Sequence, residues 1–289
     1  MGWFEERGRL DGTVAVITGG AGGLGSAIAA DLAANGVRLA VIDIDAEAAD
    51  ALRGSLGEAI VHHGDARDPD ALAALFTAAG DRWGRLDTLV NVVGGTFKAP
   101  FADTAPKGWD ALLRANLLHV LHACSLAIPR MRAGGRGGSI VNLTTIEAHR
   151  AAPGYAVYAA AKAAVEHFAR TLAVELAPDG IRVNNVAPDY VPTPNLTRLA
   201  RDNDPLATPA AARIAIPMGR VGRVADVSNC VVFLASELSA FVTGTTLHPD
   251  GGASASAGWF NWPDTGWANH APAHLLDHLI PAATRDDEP

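Results

Sequence analysis

Tyr158 and Lys162 stand four residues apart in a stretch with helical apolar spacing, so their side chains share one helical face. The chain has three tyrosines and three lysines but twenty arginines. A lysine in so arginine-rich a chain points to work a guanidinium does poorly: setting a compact point charge beside a phenol. Such a charge lowers the cost of the phenolate and draws the tyrosine pKa down from about 10 toward working pH. Tyr158 is then suited to general acid–base work, the movement of a hydroxyl proton. Ala159, Ala160 and Ala161 imply close packing around the pair rather than a solvated face.

A second constellation is Thr18-Gly19-Gly20-Ala21-Gly22-Gly23-Leu24-Gly25, with an apolar β-branched run before it and a helical pattern after it. Glycines there permit a tight turn and bring backbone N–H groups close to a phosphate at the positive end of a helix. The next apolar run ends at Asp43, eighteen residues beyond Gly25. That is near the ~20 expected of the acid that accepts the adenosine ribose hydroxyls and repels a 2′-phosphate. Gly22 and Ile44 supply no cation for such a phosphate, so NAD(H) is favoured over NADP(H).

The elements that must position these groups alternate along the chain. Strands are expected at 13–18, 38–43, 59–63, 88–93, 139–144, 182–187 and 245–248. Helices are expected at 24–35, 46–53, 69–83, 106–132, 155–177 and 224–235. The strands are apolar throughout, as strands buried on both faces are. The fold class is therefore α/β, a doubly wound parallel seven-stranded sheet with helices on both faces. One dinucleotide-binding catalytic domain is expected over 1–252. A proline-rich flap is expected at about 192–217, and an aromatic C-terminal extension at 253–289. The extension carries three of the six tryptophans (Trp259, Trp262, Trp267) and serves as lid or interface.

Further motifs follow in order: Asp65, Asn91-Val92-Val93-Gly94, Asn116, Thr145, Tyr158-x-x-x-Lys162, Pro188-x-x-Val191-x-Thr193 and Asp250-Gly251-Gly252. With the glycine loop, this succession resembles the short-chain dehydrogenase/reductase family over roughly residues 10–252. The resemblance implies sheet order 3-2-1-4-5-6-7 and hydride transfer between NAD(H) and a secondary alcohol or ketone. It implies that Tyr158 moves the proton and that Lys162 binds the nicotinamide ribose and tunes Tyr158. Thr145, where the family usually has Ser, would donate to the substrate oxygen, and Asn116 would hold a water linking Lys162 to solvent. Gly19, Gly23, Leu24, Gly25 and Asp43 would hold the dinucleotide, and Asp65 with Ala66 would meet the adenine. Asn91 would brace the adenosine side, and Val191 and Thr193 would meet the nicotinamide carboxamide. A homotetramer built on helices 106–132 and 155–177 and the last strand is implied as well. Three positions depart from the family pattern: Val92 stands for an Asn, Thr145 for the Ser, and Asp189 for the Gly after the loop proline.

Glu147, His149, Tyr155, Asp189 and Tyr190 fall on loops at the C-terminal ends of strands, where this fold binds substrate. Each either lines the pocket or stands as solvated loop. His270, His274 and His278 recur every four residues, but Pro272 begins the helix and leaves His270 outside it, so no metal is expected. Cys124 and Cys230 lie in helical patterns and read as small buried hydrophobes. The formal charge of −8, from 23 basic and 31 acidic residues, argues against nucleic acid as a partner. The apolar runs are strand-length and the N-terminus is no signal peptide, so no membrane association and a cytoplasmic location are expected. Two alternatives stand beside the dehydrogenase: a 3-oxoacyl-thioester reductase, and a non-catalytic NAD-binding scaffold.

Overall fold

The structure is a computed structural model that describes residues 2–194, 196, 208–273 and 275. The main strands are β1 (Val14–Thr18), β2 (Arg38–Asp43), β3 (Ile60–His63), β4 (Thr88–Asn91), β5 (Gly138–Leu143), β6 (Ile181–Val186) and β7 (Thr246–Leu247). They form one parallel sheet in the order β3-β2-β1-β4-β5-β6-β7. The helices are α1 (Trp3–Gly8), α2 (Gly23–Ala34), α3 (Ala46–Leu56), α4 (Pro69–Trp83), α5 (Pro106–Leu113), α6 (His119–Gly134), α7 (Ala156–Leu176), α8 (Pro209–Ala215), α9 (Val224–Ala235) and α10 (Ala253–Ser256). A hairpin of β8 (Phe260–Trp262) and β9 (Gly266–Ala268) ends the described chain apart from a few residues.

Alternation along each strand serves two cores. In β1, Ala15 and Ile17 face α2, α3 and α9, meeting Ile28, Leu32, Leu52 and Val231. Val16 faces the other way, toward α4, α6 and α7, with Phe76, Met131 and Val165. Helix starts are fixed locally. Asp45 accepts from Ala48 N at 3.0 Å, and Asp68 accepts from Asp70 N at 3.0 Å ahead of Pro69.

The structure departs from the expected elements and burial at several points. The single helix expected at 106–132 is interrupted by a π turn, Arg114–Leu118, which contains Asn116. The run Pro106–Gly134 is long and apolar enough to cross a bilayer by length and composition, but Val120, Ala123, Cys124, Ala127 and Met131 are buried in the core. Cys230 is only partly buried, unlike Cys124. The aromatic extension folds as the β8–β9 hairpin, with Trp259 and Trp267 still half exposed. The proline-rich flap contains α8, begun by Thr208, whose hydroxyl accepts from Ala211 N. Residues 195 and 197–207 of the flap lie outside the described residues, as do His274, His278 and the chain end from 276.

Candidate active site

The ends of β4 and β5 meet the first turns of α7. Lys162 is 4% exposed, and its Nζ donates to the carbonyl of Leu143, the last residue of β5, at 2.8 Å. Asn116 is fully buried. Its Nδ2 donates to Gly95 O at 2.8 Å and Leu112 O at 2.9 Å, and its Oδ1 accepts from Gly95 N at 3.2 Å. A π turn widens the helix and often marks a functional position, and here it points Asn116 at the loop after β4. Gly94 is held between the two: a Cβ there would come within 3.1 Å of Asn116 Oδ1 and 3.2 Å of Lys162 Nζ. The structure therefore gathers Asn116, Lys162 and the Gly94–Gly95 backbone.

Thr145 follows β5 and caps the short turn Ile146–Ala148. Its Oγ1 accepts from Glu147 N at 3.3 Å, and its hydroxyl lies close enough to Tyr158 to act on the phenol's pKa. The expectation that Lys162 draws the Tyr158 pKa down is corrected. Burial pushes the phenol up to about 12, the nearby Thr145 hydroxyl lowers it in part, and the Glu147 charge raises it. Lys162 is pushed down to about 8 by its own desolvation. Packing around the pair is also uneven: Ala161 is buried, whereas Ala160 is exposed.

The glycine loop has the shape that a pyrophosphate requires. A Cβ at Gly25 would fall 2.0 Å from Gly19 O, so only glycine lets α2 approach the turn. Gly19 takes φ +69°, where other residues are strained. Helix α2 has Gly22 at its N-cap, with no side-chain cap and no acid in its first turn, leaving its N–H groups for an anion. Among the described residues, a Cβ on Gly22 would meet nothing within 4 Å. Leu24 is partly buried against the core. Asp43 is 9% exposed at the end of β2. Its Oδ2 accepts from Ala21 N at 2.9 Å and its Oδ1 from Asp45 N at 3.1 Å. Thr193 packs across the loop at Gly23. These residues fit a nicotinamide dinucleotide.

Several expected roles change in place. Asn91 does not turn its amide to an adenosine pocket: its Nδ2 donates to Asn142 Oδ1 at 2.9 Å, inside the sheet. Asn142 donates to Asn185 Oδ1 at 3.1 Å and Asn185 to Thr246 Oγ1 at 3.2 Å, a side-chain ladder across β4, β5, β6 and β7. The Ala66 and Val191 side chains are buried in the core. Asp65 is gripped by Arg67, which donates to both its oxygens, and this pairing holds its pKa below the usual carboxylate range.

The five loop residues behave differently from one another. Glu147 and Asp189 both bind Arg150, at 2.8 and 3.3 Å. Burial raises the Asp189 pKa and Arg150 offsets part of that. His149 Nε2 lies 2.8 Å from the buried Glu166. The Tyr155 ring meets Tyr158 edge-on at 6.5 Å. Asp189 and Tyr190 line a cavity of about 310 Å³ with Ile216, Met218, His248 and Asp250. Arg150 and Glu166 escaped sequence reasoning. The signals were a cation three residues after Glu147 and a carboxylate one helical turn beyond Lys162. His119, buried three residues after Asn116, escaped it as well.

A family model described as Enoyl-(Acyl carrier protein) reductase matches residues 19–254. D-threitol dehydrogenase of Mycolicibacterium smegmatis is 36% identical over 248 residues, covering 84% of this chain and 94% of that protein. The chain belongs to the short-chain dehydrogenase/reductase family. The 3-oxoacyl-(acyl-carrier-protein) reductase FabG of Thermotoga maritima is 35% identical over 248 residues, 84% of this chain and 98% of that one. The crystal structure of levodione reductase superimposes with a TM-score of 0.79 at 30% identity, covering 85% of this chain and 98% of that chain. The seven-stranded sheet order is the one the resemblance implied, and the chain is an oxidoreductase of a family that uses a nicotinamide cofactor.

Proposed function

We propose that the chain is an NAD-dependent dehydrogenase that interconverts a secondary alcohol and a ketone. The observation that carries this reading is Thr145 set close to Tyr158, on the helix whose same face bears the buried Lys162, together with a glycine loop closed by Asp43. Gly19, Gly23, Gly25 and the start of α2 would hold the pyrophosphate, Asp43 the adenosine ribose, and Thr193 the nicotinamide side. The bound nicotinamide supplies hydride exchange. Tyr158 takes the proton from the substrate hydroxyl in oxidation and returns it in reduction. Thr145 already accepts from Glu147 N, so its own hydrogen is free to serve the phenol or the substrate oxygen. Lys162 places a buried positive charge on the same helical face as Tyr158, where a phenolate develops.

NAD is preferred over NADP because Asp43, with Asp45 two residues on, sets negative charge where a 2′-phosphate would lie. Arg67, a nearby cation, is committed to Asp65. A substrate without an anionic group is favoured because Glu147, Asp189 and Asp250 gather around Arg150. The family model's description and the FabG relative favour a second reading, a reductase of 3-oxoacyl thioesters. The experiment that separates them measures NAD⁺ with D-threitol, meso-2,3-butanediol and cyclohexanol against NADPH with acetoacetyl-CoA. Wild-type turnover in the first set, lost by 10²–10⁴-fold in Tyr158→Phe with NAD⁺ binding retained, supports the dehydrogenase. Wild-type rates in Tyr158→Phe, or turnover in the second set alone, overturn it.

A further inference from the structure

Glu166 is 3% exposed and has no part in the proton transfer described above. Both of its carboxylate oxygens are engaged. Oε1 accepts from the hydroxyl of Thr144 at 2.7 Å, and Oε2 lies 2.8 Å from His149 Nε2. Thr144 and His149 are the two ends of the six-residue turn that carries Thr145 and Glu147. One carboxylate of α7 therefore grips that turn both before and after Thr145. Glu166 follows Lys162 by four residues and Tyr158 by eight, on one face of α7. His149 extends the connection, since its ring packs edge-on against His248 at 4.7 Å, just beyond β7.

We propose that Glu166 is a positioning residue that sets the Thr145 hydroxyl against the Tyr158 phenol by clamping both ends of the intervening turn. Burying a carboxylate is costly unless both oxygens are satisfied, and here each oxygen holds a different end of the same turn. The backbone holds the turn through Thr144 N to Val186 O at 2.8 Å, Ile146 N to Pro188 O at 3.1 Å, Ala148 N to Thr145 O at 3.1 Å and His149 N to Ile146 O at 2.9 Å, and none of these bonds ties the turn to α7. Released from Glu166, Thr145 would wander relative to a helix that stays packed. A misplacement of about 1 Å at a reacting centre costs about 10²-fold in rate.

The inference rests on the dehydrogenase reading, and two measurements separate their failures. The first needs no substrate: amide hydrogen exchange in Glu166→Gln and His149→Asn. Faster exchange confined to residues 145–149 is expected, with α7 unchanged; exchange as slow as wild type overturns the clamp. The second is kinetic, with NAD⁺ and D-threitol, meso-2,3-butanediol or cyclohexanol. Glu166→Gln should lower kcat by about 10- to 100-fold, leave NAD⁺ binding within about twofold, and have little further effect in a Thr145→Val background. Additive losses in the double variant, or kcat within twofold of wild type in Glu166→Gln, overturn the positioning role. If Glu166→Gln fails to fold, His149→Asn, which loosens only the partly exposed end, serves both measurements. Failure of Tyr158→Phe to slow turnover would instead strike the dehydrogenase reading.

Discussion

His119 makes the protein's acid sensitivity predictable in size. It sits at the start of α6, directly after the π turn, and is about 1% exposed. Neither ring nitrogen makes a well-aligned hydrogen bond. Burial and the neighbouring Lys162 charge push its pKa down to about 3, with the Ala115 and Arg114 carbonyls pulling part of the way back. The folded protein thus refuses a proton that the unfolded chain accepts near pH 6.5, so stability is lost as pH falls below 6.5 and the loss is complete near pH 3. At pH 7 the unfolded chain gains about 0.2 kcal/mol from this histidine; at pH 5 it gains about 2 kcal/mol. His119→Leu replaces the ring with an apolar side chain that does not titrate. Urea unfolding of both proteins at pH 7 and pH 5 should show the wild type losing about 2 kcal/mol more than the variant between those pH values. Any packing change in the variant cancels, because it enters at both pH values. Equal losses in the two proteins would show that the histidine is hydrated or protonated in the folded state, contrary to the structure.

Three further outcomes are expected. Gly25→Ala should abolish NAD⁺ binding by calorimetry and lower the thermal midpoint, since the added methyl would meet the Gly19 carbonyl at 2.0 Å. Asp43→Ser should shift the NADP⁺-to-NAD⁺ ratio of kcat/KM upward by about 10-fold or more, because a charge that repels a 2′-phosphate is gone. Its stability, read by thermal melting, should fall by about 1 kcal/mol, because the Ala21 amide loses its acceptor. Asn142→Ala should cost about 1–3 kcal/mol in urea unfolding, because Asn91 and Asn185 are each left with a buried unpaired group.

What could be read from the sequence was what short-range pattern encodes. The apolar runs at 13–18, 38–43 and 88–93 marked β1, β2 and β4, the last of which ends two residues earlier at Asn91, because a strand buried on both faces has few polar positions to blur it. The glycine loop was legible because its function lies in seven contiguous backbone units. Tyr158 and Lys162 were legible because one helical turn places them. The hairpin at 260–268 and the helix at 3–8 were not, being too short to show a period. The partners of the site were also hidden. Thr144 meets Glu166 across 22 residues and Arg150 meets Asp189 across 39. Nothing local marks such pairs, since the sheet and α7 bring them together only after folding. The direction of the Tyr158 shift was misread for the same reason: a spacing reveals a neighbour but not the dryness of its surroundings.

The amide row from Asn91 through Asn142 and Asn185 to Thr246 also acts on how the chain assembles. Strands rich in valine and isoleucine can slide past one another by two residues and still bury the same faces. In this sheet such a slip would strand three amides against methyl groups, each an expensive loss in a dry layer. The correct alignment of four strands is therefore selected by polarity rather than by shape. The side chains that enforce it end beside the catalytic loops, so an error in strand alignment and an error in the site become the same rare event.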